Sequence, residues 1–463
     1  MIRIKSLFLL VAVLKNVLSF TSMQPMSNVA NAYGVHKKTT STLFGNSNSN
    51  SNSNSNSNSN SKSKSHMQND DGSFSSDSSM SRRSAMEKSA QAAAAILLSN
   101  SIVPSDPALA DIQYTATPKT IFMTGCNSGI GYDAVKRMAK QGHTIILACR
   151  SFSKANDAIT RIQSELENPN LKLIPKECDL ADLKSVESCV KGLAEDDRIK
   201  SIDSLCLNAG LARNTAATDV LRTAQGFELT IGTNHLGHFY LTNQILPLMA
   251  KNSNIVVTAS SVHDPDSPGG AQGSKATLGN LAGLEAAIAN TNTNNNVNGN
   301  GVFSFDMVDG EAFDADKAYK DSKLCNVFFT RELQKRLDLN EVTKEKGIKV
   351  NSFTPGLIVS TGLFRDQNPI FTKVFDFVAT DLIKVGEPIH FGGGALEYMT
   401  LDDSVCSKKG LYYFSSPGSS KYGDAAFGNQ FAPAEVSVEA KDDAKGVRLW
   451  DLSEKLVGVK SIV

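Results

Sequence analysis

Thr120-Ile121-Phe122-Met123-Thr124 runs directly into Gly125-Cys126-Asn127-Ser128-Gly129-Ile130-Gly131, and this join decides the fold. The first five residues are apolar or β-branched, the mark of a buried strand. The glycines that follow punctuate a turn, and the residues up to Gln141 repeat with a helical period. Working outward, 143–148 reads as a second strand, 153–166 as a helix and 171–176 as a third strand. A helix over 182–195 and a fourth strand over 202–207 come next, with later strands at 254–259 and 347–353. Strands alternating with helices predict βαβ units, and hence a doubly wound parallel α/β sheet covered on both faces.

A glycine-rich turn between a first strand and its helix is where such folds seat a dinucleotide. Gly125 permits the tight turn, Gly129 lets the backbone approach a pyrophosphate, and Gly131 lets the helix lie close to the sheet. The phosphates then sit at a helix N-terminus, where free N–H groups and the helix dipole favour anions. Asn127, Ser128 and Ile130 are further candidate contacts in this turn, and the expected fold is Rossmann-like. The second strand ends at Ala148-Cys149-Arg150, with Lys154 one turn on. An acidic residue here would hold a ribose 2′-hydroxyl, whereas a guanidinium matches a 2′-phosphate, so NADPH is the expected cofactor. Asp179 and Leu180, after the third strand, are candidates for the adenine side. Asn208-Ala209-Gly210 ends the fourth strand, at the carboxyl edge where these sheets bind ligands.

Tyr319-Lys320-Asp321-Ser322-Lys323 places a tyrosine and a lysine four apart on one helix face. An isolated phenol, with a pKa near 10, holds its proton too tightly for acid catalysis at neutral pH. A neighbouring ammonium favours the phenolate and is expected to lower that value. Lys323 can also hold the nicotinamide ribose.

Together the glycine-rich turn, Asn208-Ala209-Gly210, Asn234, Ser261, Tyr319 and Lys323 resemble the short-chain dehydrogenase/reductase family. The resemblance implies that Ser261, with Ser260 as its understudy, orients the reacting group. It also implies that Asn234 holds a water linking Lys323 to a proton relay, and that Pro355, Gly356 and Thr361 border the nicotinamide. Five stretches, 226–239, 278–284, 317–326, 361–365 and 450–458, further resemble the light-dependent protochlorophyllide oxidoreductases. On that likeness the substrate is a bulky conjugated pigment, reduced by NADPH after it absorbs light. Leu357 departs from the pattern, which carries a cysteine directly after Pro355-Gly356; Cys325 is retained. A dark, retinol-dehydrogenase-like carbonyl reductase on an apolar substrate is the nearest alternative, and a non-catalytic NADPH-binding scaffold is another. Intact Tyr319, Lys323, Asn234 and Ser261 argue against the scaffold.

Ser261 and Tyr319 lie 58 positions apart, so an insertion over 264–313, rich in glycine and asparagine, is expected to loop out beside the site. Its centre, 290–300, reads as disordered. Phe364, Phe371, Phe375 and Phe377 suggest a substrate lid within a C-terminal extension, 360–463, expected to be helical. Tyr412, Tyr413 and Phe414 suggest a late strand or a subunit contact in a homo-oligomer.

The rest of the chain bounds these readings. Basic and acidic residues balance at 47 each, which removes the electrostatic case for nucleic acid. Seven cysteines without a CxxC pair read as reduced thiols, and seven histidines without HxxxH spacing give no expectation of a metal. Residues 1–20 read as a signal peptide, basic and then apolar. Residues 21–111, which include the Ser-Asn repeat of 46–61, read as a disordered transit leader. The reductase domain is expected over 112–463. Leu18-Ser19-Phe20 resembles the cleavage motif of secondary plastids. Arg82-Arg83 with Ala108-Leu109-Ala110 resembles a thylakoid-transfer signal, so a stromal or peripheral thylakoid location in a chloroplast follows.

Overall fold

The computed structural model describes residues 117–293, 303–359, 379 and 386–460. The leader, Thr361 and the four phenylalanines of the expected lid lie outside the described residues.

Eight strands form one sheet in the order β3-β2-β1-β4-β5-β6-β7-β8. They are β1 (Thr120–Thr124), β2 (Thr144–Cys149), β3 (Leu173–Glu177), β4 (Ile202–Leu207), β5 (Met249–Thr258), β6 (Lys349–Phe353), β7 (Tyr412–Ser415) and β8 (Phe431–Ala434). Seven run parallel, and β8 pairs antiparallel with β7. The doubly wound α/β reading therefore holds, with strand ends within five residues of those expected and β1 and β4 at their expected bounds. The expected helical C-terminal extension is corrected: it also carries β7 and β8, so Tyr412, Tyr413 and Phe414 are sheet residues.

Alternation along β1 shows how the sheet builds two cores. Phe122 faces one side with Ile146, Leu205 and Ile255, while Ile121 and Met123 face the other with Ile145 and Leu147. The second side is covered by α1 (Gly129–Lys140), α2 (Phe152–Glu165) and, later in the chain, a helix at Ile389–Leu401. The first side is covered by α3 (Leu183–Ala194), α4 (Gly237–Ile245) and the long α6 (Ala315–Leu339), on which the C-terminal helix Asp443–Val457 lies. Trp450 on that last helix is 2% exposed, stacked 5.9 Å from Phe329 and edge-on at 4.7 Å to Phe239. The tail thus packs against α6, which carries Tyr319 and Lys323, and against α4, which follows Asn234.

The insertion does not loop out where it is described. It contains a helix, α5 (Ala282–Thr293), and buries Leu278, Leu281 and Leu284. Lys317 ties it to α6, with Nζ 2.7 Å from both the Thr277 carbonyl and Asp309 and 2.5 Å from Asp321. Thr277 N–H returns a bond to Asp321 at 2.9 Å. Burial raises the Asp321 carboxyl to about 7 despite the Lys317 ammonium. Residues 294–302, most of the asparagine-rich centre, lie outside the described residues.

Candidate active site

The candidate residues gather at the carboxyl ends of β1, β4, β5 and β6. Strand order places β1 beside β4, so Thr124 and Asn208 meet there. Asn208 Nδ2 donates to the Thr124 and Gly125 carbonyls at 3.2 and 3.1 Å, and Thr258 Oγ1 donates to Asn208 Oδ1 at 3.3 Å. The glycine-rich turn is thereby fixed to the fourth and fifth strands. Gly125 has φ +65°, and a Cβ there would stand 2.6 Å from Ala209 Cα. A Cβ on Gly131 would stand 2.6 Å from Asn208 Nδ2 and collide with the Gly125 carbonyl. No side chain fits at either point, so the turn packs directly against the end of β4 and α1 lies close to the sheet. Ser128 holds the N-cap position of α1 without a side-chain cap bond, Gly129 begins the helix, and Asn127 offers its carbonyl to Arg161 Nη2 at 2.7 Å. Ile130 packs toward Gly392 on the helix Ile389–Leu401.

Arg150 is exposed at the end of β2, beside Ser151, whose side chain caps α2 by accepting Lys154 N–H at 3.4 Å. Glu177 reaches the same helix end and accepts Phe152 N–H at 3.0 Å. Asp179 folds the next turn by accepting Ala181 N–H at 3.0 Å, and Leu180 is buried against Gly237. Gly210, Pro355 and Gly356 continue the same edge, and Leu357 offers its carbonyl to Glu387 N–H at 2.8 Å. Cys325 is fully buried inside α6, where burial pushes its thiol up.

Tyr319 and Lys323 share one face of α6, with Lys323 Nζ 5.7 Å from the tyrosine ring centroid. Nζ donates to the Thr258 carbonyl at 3.1 Å. Burial pulls the lysine down to about 8. The expected lowering of Tyr319 is corrected: burial raises it above the ordinary tyrosine range, outweighing a hydrogen bond with Ser260 that acts the other way. That bond sets Ser260 near the phenol. Ser261 starts a short 3₁₀ turn, Ser261–His263, and its carbonyl accepts Ser267 Oγ at 2.7 Å.

Asn234 lies in a π-turn, Gly232–Leu236, just before α4. Its Nδ2 donates to the Leu211 carbonyl at 2.9 Å and to Ser322 Oγ at 3.0 Å, while its Oδ1 accepts Leu211 N–H at 2.9 Å. The side chain is therefore pinned between the loop after β4 and the catalytic helix. Two residues beside it escaped attention in the sequence. His235 bonds Ser453 Oγ at 3.1 Å, joining this turn to the C-terminal helix. His238 bonds Thr124 Oγ1 at 3.0 Å. Their signal was the pair of buried histidines in Asn234-His235-Leu236-Gly237-His238, too closely spaced for the metal pattern sought. Among the described residues no group of three metal-ligating side chains occurs, and no helix is long and apolar enough to cross a membrane.

A sheet of this order, a side-chain-free cradle at β1 and a Tyr-Lys pair at β5 define a nicotinamide-dependent oxidoreductase. The family model for short chain dehydrogenases matches residues 119–308, and the chain belongs to the short-chain dehydrogenase/reductase family. Within it the chain is similar to protochlorophyllide reductases. It is 34% identical over 358 residues to the chloroplastic enzyme of Cucumis sativus, covering 75% of this chain and 80% of that one. The chloroplastic enzyme of Chlamydomonas reinhardtii is 32% identical over 359 residues, covering 76% and 81%.

Proposed function

We propose that this protein uses NADPH to reduce protochlorophyllide to chlorophyllide in a light-dependent step. The observation that carries the reading is the extent of the similarity, which covers about four-fifths of the length of enzymes so named. The relatives are named chloroplastic, which agrees with a plastid-targeting reading of residues 1–111, ahead of a reductase domain over 112–463. Contact with the thylakoid surface and homo-oligomerisation belong to the same proposal.

The residues present fit a dinucleotide. The cradle of Gly125, Asn127, Ser128, Gly129, Ile130 and Gly131 would take the pyrophosphate, and Asp179 and Leu180 the adenine. Asn208, Ala209, Gly210, Pro355, Gly356 and Thr361 would border the nicotinamide half. When bound, NADPH supplies the hydride. Tyr319 supplies the proton from its hydroxyl, held in place by Ser260. Ser261, the next residue, orients the substrate. Lys323 holds the ribose and sustains the local positive charge, while Asn234 keeps the loop after β4 registered against Ser322.

Arg150 and Lys154 would meet the 2′-phosphate. Charge-assisted bonds of this kind are worth enough to make NADPH bind about tenfold or more tightly than NADH. Arg150→Ala should erase most of that preference in a titration of both cofactors. Equal dissociation constants in the parent protein would contradict the assignment.

Leu357 favours one second reading, a dark carbonyl reductase acting on an apolar aldehyde or ketone. Product analysis separates the two. Illuminated protein with NADPH and protochlorophyllide should yield chlorophyllide, and dark protein with retinal should oxidise no NADPH. The reverse pattern would exchange the readings.

A further inference from the structure

His238 has no place in the chemistry above, yet it is 2% exposed and fully engaged. Its Nδ1 lies 3.0 Å from the Asn234 carbonyl, which can only accept, so Nδ1 carries the proton. Nε2 is then an acceptor, and the hydroxyl 3.0 Å away, Thr124 Oγ1, must donate to it. The Thr124 hydroxyl has one proton, and its alternative acceptor, the Cys206 carbonyl, is farther off at 3.4 Å. With that proton committed, the Thr124 oxygen accepts Asn208 N–H and Ala209 N–H, both at 3.0 Å. Every hydrogen in the chain is assigned by elimination. It runs from the backbone after β4, through the last residue of β1, to the carbonyl of Asn234.

We propose that His238 is a positioning residue. As a neutral imidazole protonated on Nδ1, it locks Asn234 to the threonine that opens the cofactor turn, so the two halves of the site hold one register. The inference rests on the reading of Asn234 and the glycine-rich turn as parts of that site. Burial is what keeps the imidazole neutral, holding it at about 4, with the Lys323 charge acting in the same direction. A charged ring would have to donate from both nitrogens, and the Thr124 hydroxyl would then lose its acceptor. The π-turn matters here too. It contains Asn234 and runs into the regular start of α4, where a lone strut can fix or release the carbonyl.

The test uses the whole protein labelled with ¹⁵N-histidine, with signals assigned by their loss in His238→Gln. His238 should show a protonated Nδ1 and a bare Nε2, unchanged from mildly acidic to mildly alkaline pH, and the Nε2 shift should move when NADPH binds. Protonation on Nε2, or titration near the free histidine value of about 6.5, would overturn the proposal. This readout needs neither pigment nor turnover, so its failure is distinct from failure of the substrate assignment. In activity, Thr124→Val should lower kcat about tenfold with little change in substrate KM, and Thr124→Ser should restore it. His238→Phe combined with Thr124→Val should be no worse than the poorer single variant, because both cut one chain. Additive losses, or a serine variant as poor as the valine one, would also overturn it.

Discussion

Tyr319→Phe is expected to bind NADPH as the parent does and to lose turnover by on the order of a hundredfold or more. The phenyl ring keeps its place beside Lys323 Nζ, 5.7 Å from the ring centroid, so the helix face is unchanged. Only the hydroxyl is removed, and with it the hydrogen bond to Ser260 and the proton donor. Burial keeps this hydroxyl protonated at neutral pH, and its tight hold on the proton restricts transfer to a strongly basic centre, such as the carbanion that hydride addition to a ring double bond leaves. Stopped-flow measurement of single turnovers with pre-bound cofactor isolates the chemical step. Turnover equal to that of the parent would place the proton donor on another group.

Gly131→Ala should raise the NADPH dissociation constant between about tenfold and a hundredfold. One added methyl group would meet the Gly125 carbonyl and stand 2.6 Å from Asn208 Nδ2, which pins the turn from the end of β4. Overpacking of this kind typically costs about 1–3 kcal/mol, and here the backbone that must yield is the cradle itself. Gly192→Ala is the control: its nearest neighbour would be the flexible end of Lys176 at 3.8 Å. Calorimetric titration should show the control unchanged. An unchanged constant for Gly131→Ala would mean that α1 can lift from the sheet without harming the cradle.

Much of this was legible in the sequence because it depends on local rules. The β1 join, Asn208 and the Tyr319-Lys323 spacing follow from glycine geometry, strand alternation and helix period, and each falls where expected. What depended on tertiary contact was not. The Tyr319 shift had the wrong sign because the sequence shows the nearby lysine but not the burial that outweighs it. Ser260, the expected understudy, lies near the phenol because the turn after β5 brings it there, a tertiary placement no periodicity shows. The insertion looked loose because asparagine and glycine dominate its composition. Its anchors are Thr277 and Asp309 on its own side and Lys317 and Asp321 on α6, whose i,i+4 spacing was visible but had no visible partner. His235 and His238 make their bonds 218 and 114 positions away, beyond any periodicity.

On the proposed function, this short-chain reductase frame passes a hydride to a pigment that must first be excited. Reduction of an unactivated ring double bond has a high barrier, whereas a carbonyl substrate could be served in darkness by Tyr319 and the adjacent serines stabilising the developing alkoxide. The measurement that tests this most directly is the absorbance spectrum of the protein mixed with NADPH and protochlorophyllide in darkness, before and after one saturating flash. The expected result is a dark ternary complex whose spectrum is constant over time, then a product band after the flash with matching loss of NADPH. NADPH loss in darkness, or a bound pigment unchanged by the flash even in the Leu357→Cys variant, would contradict it.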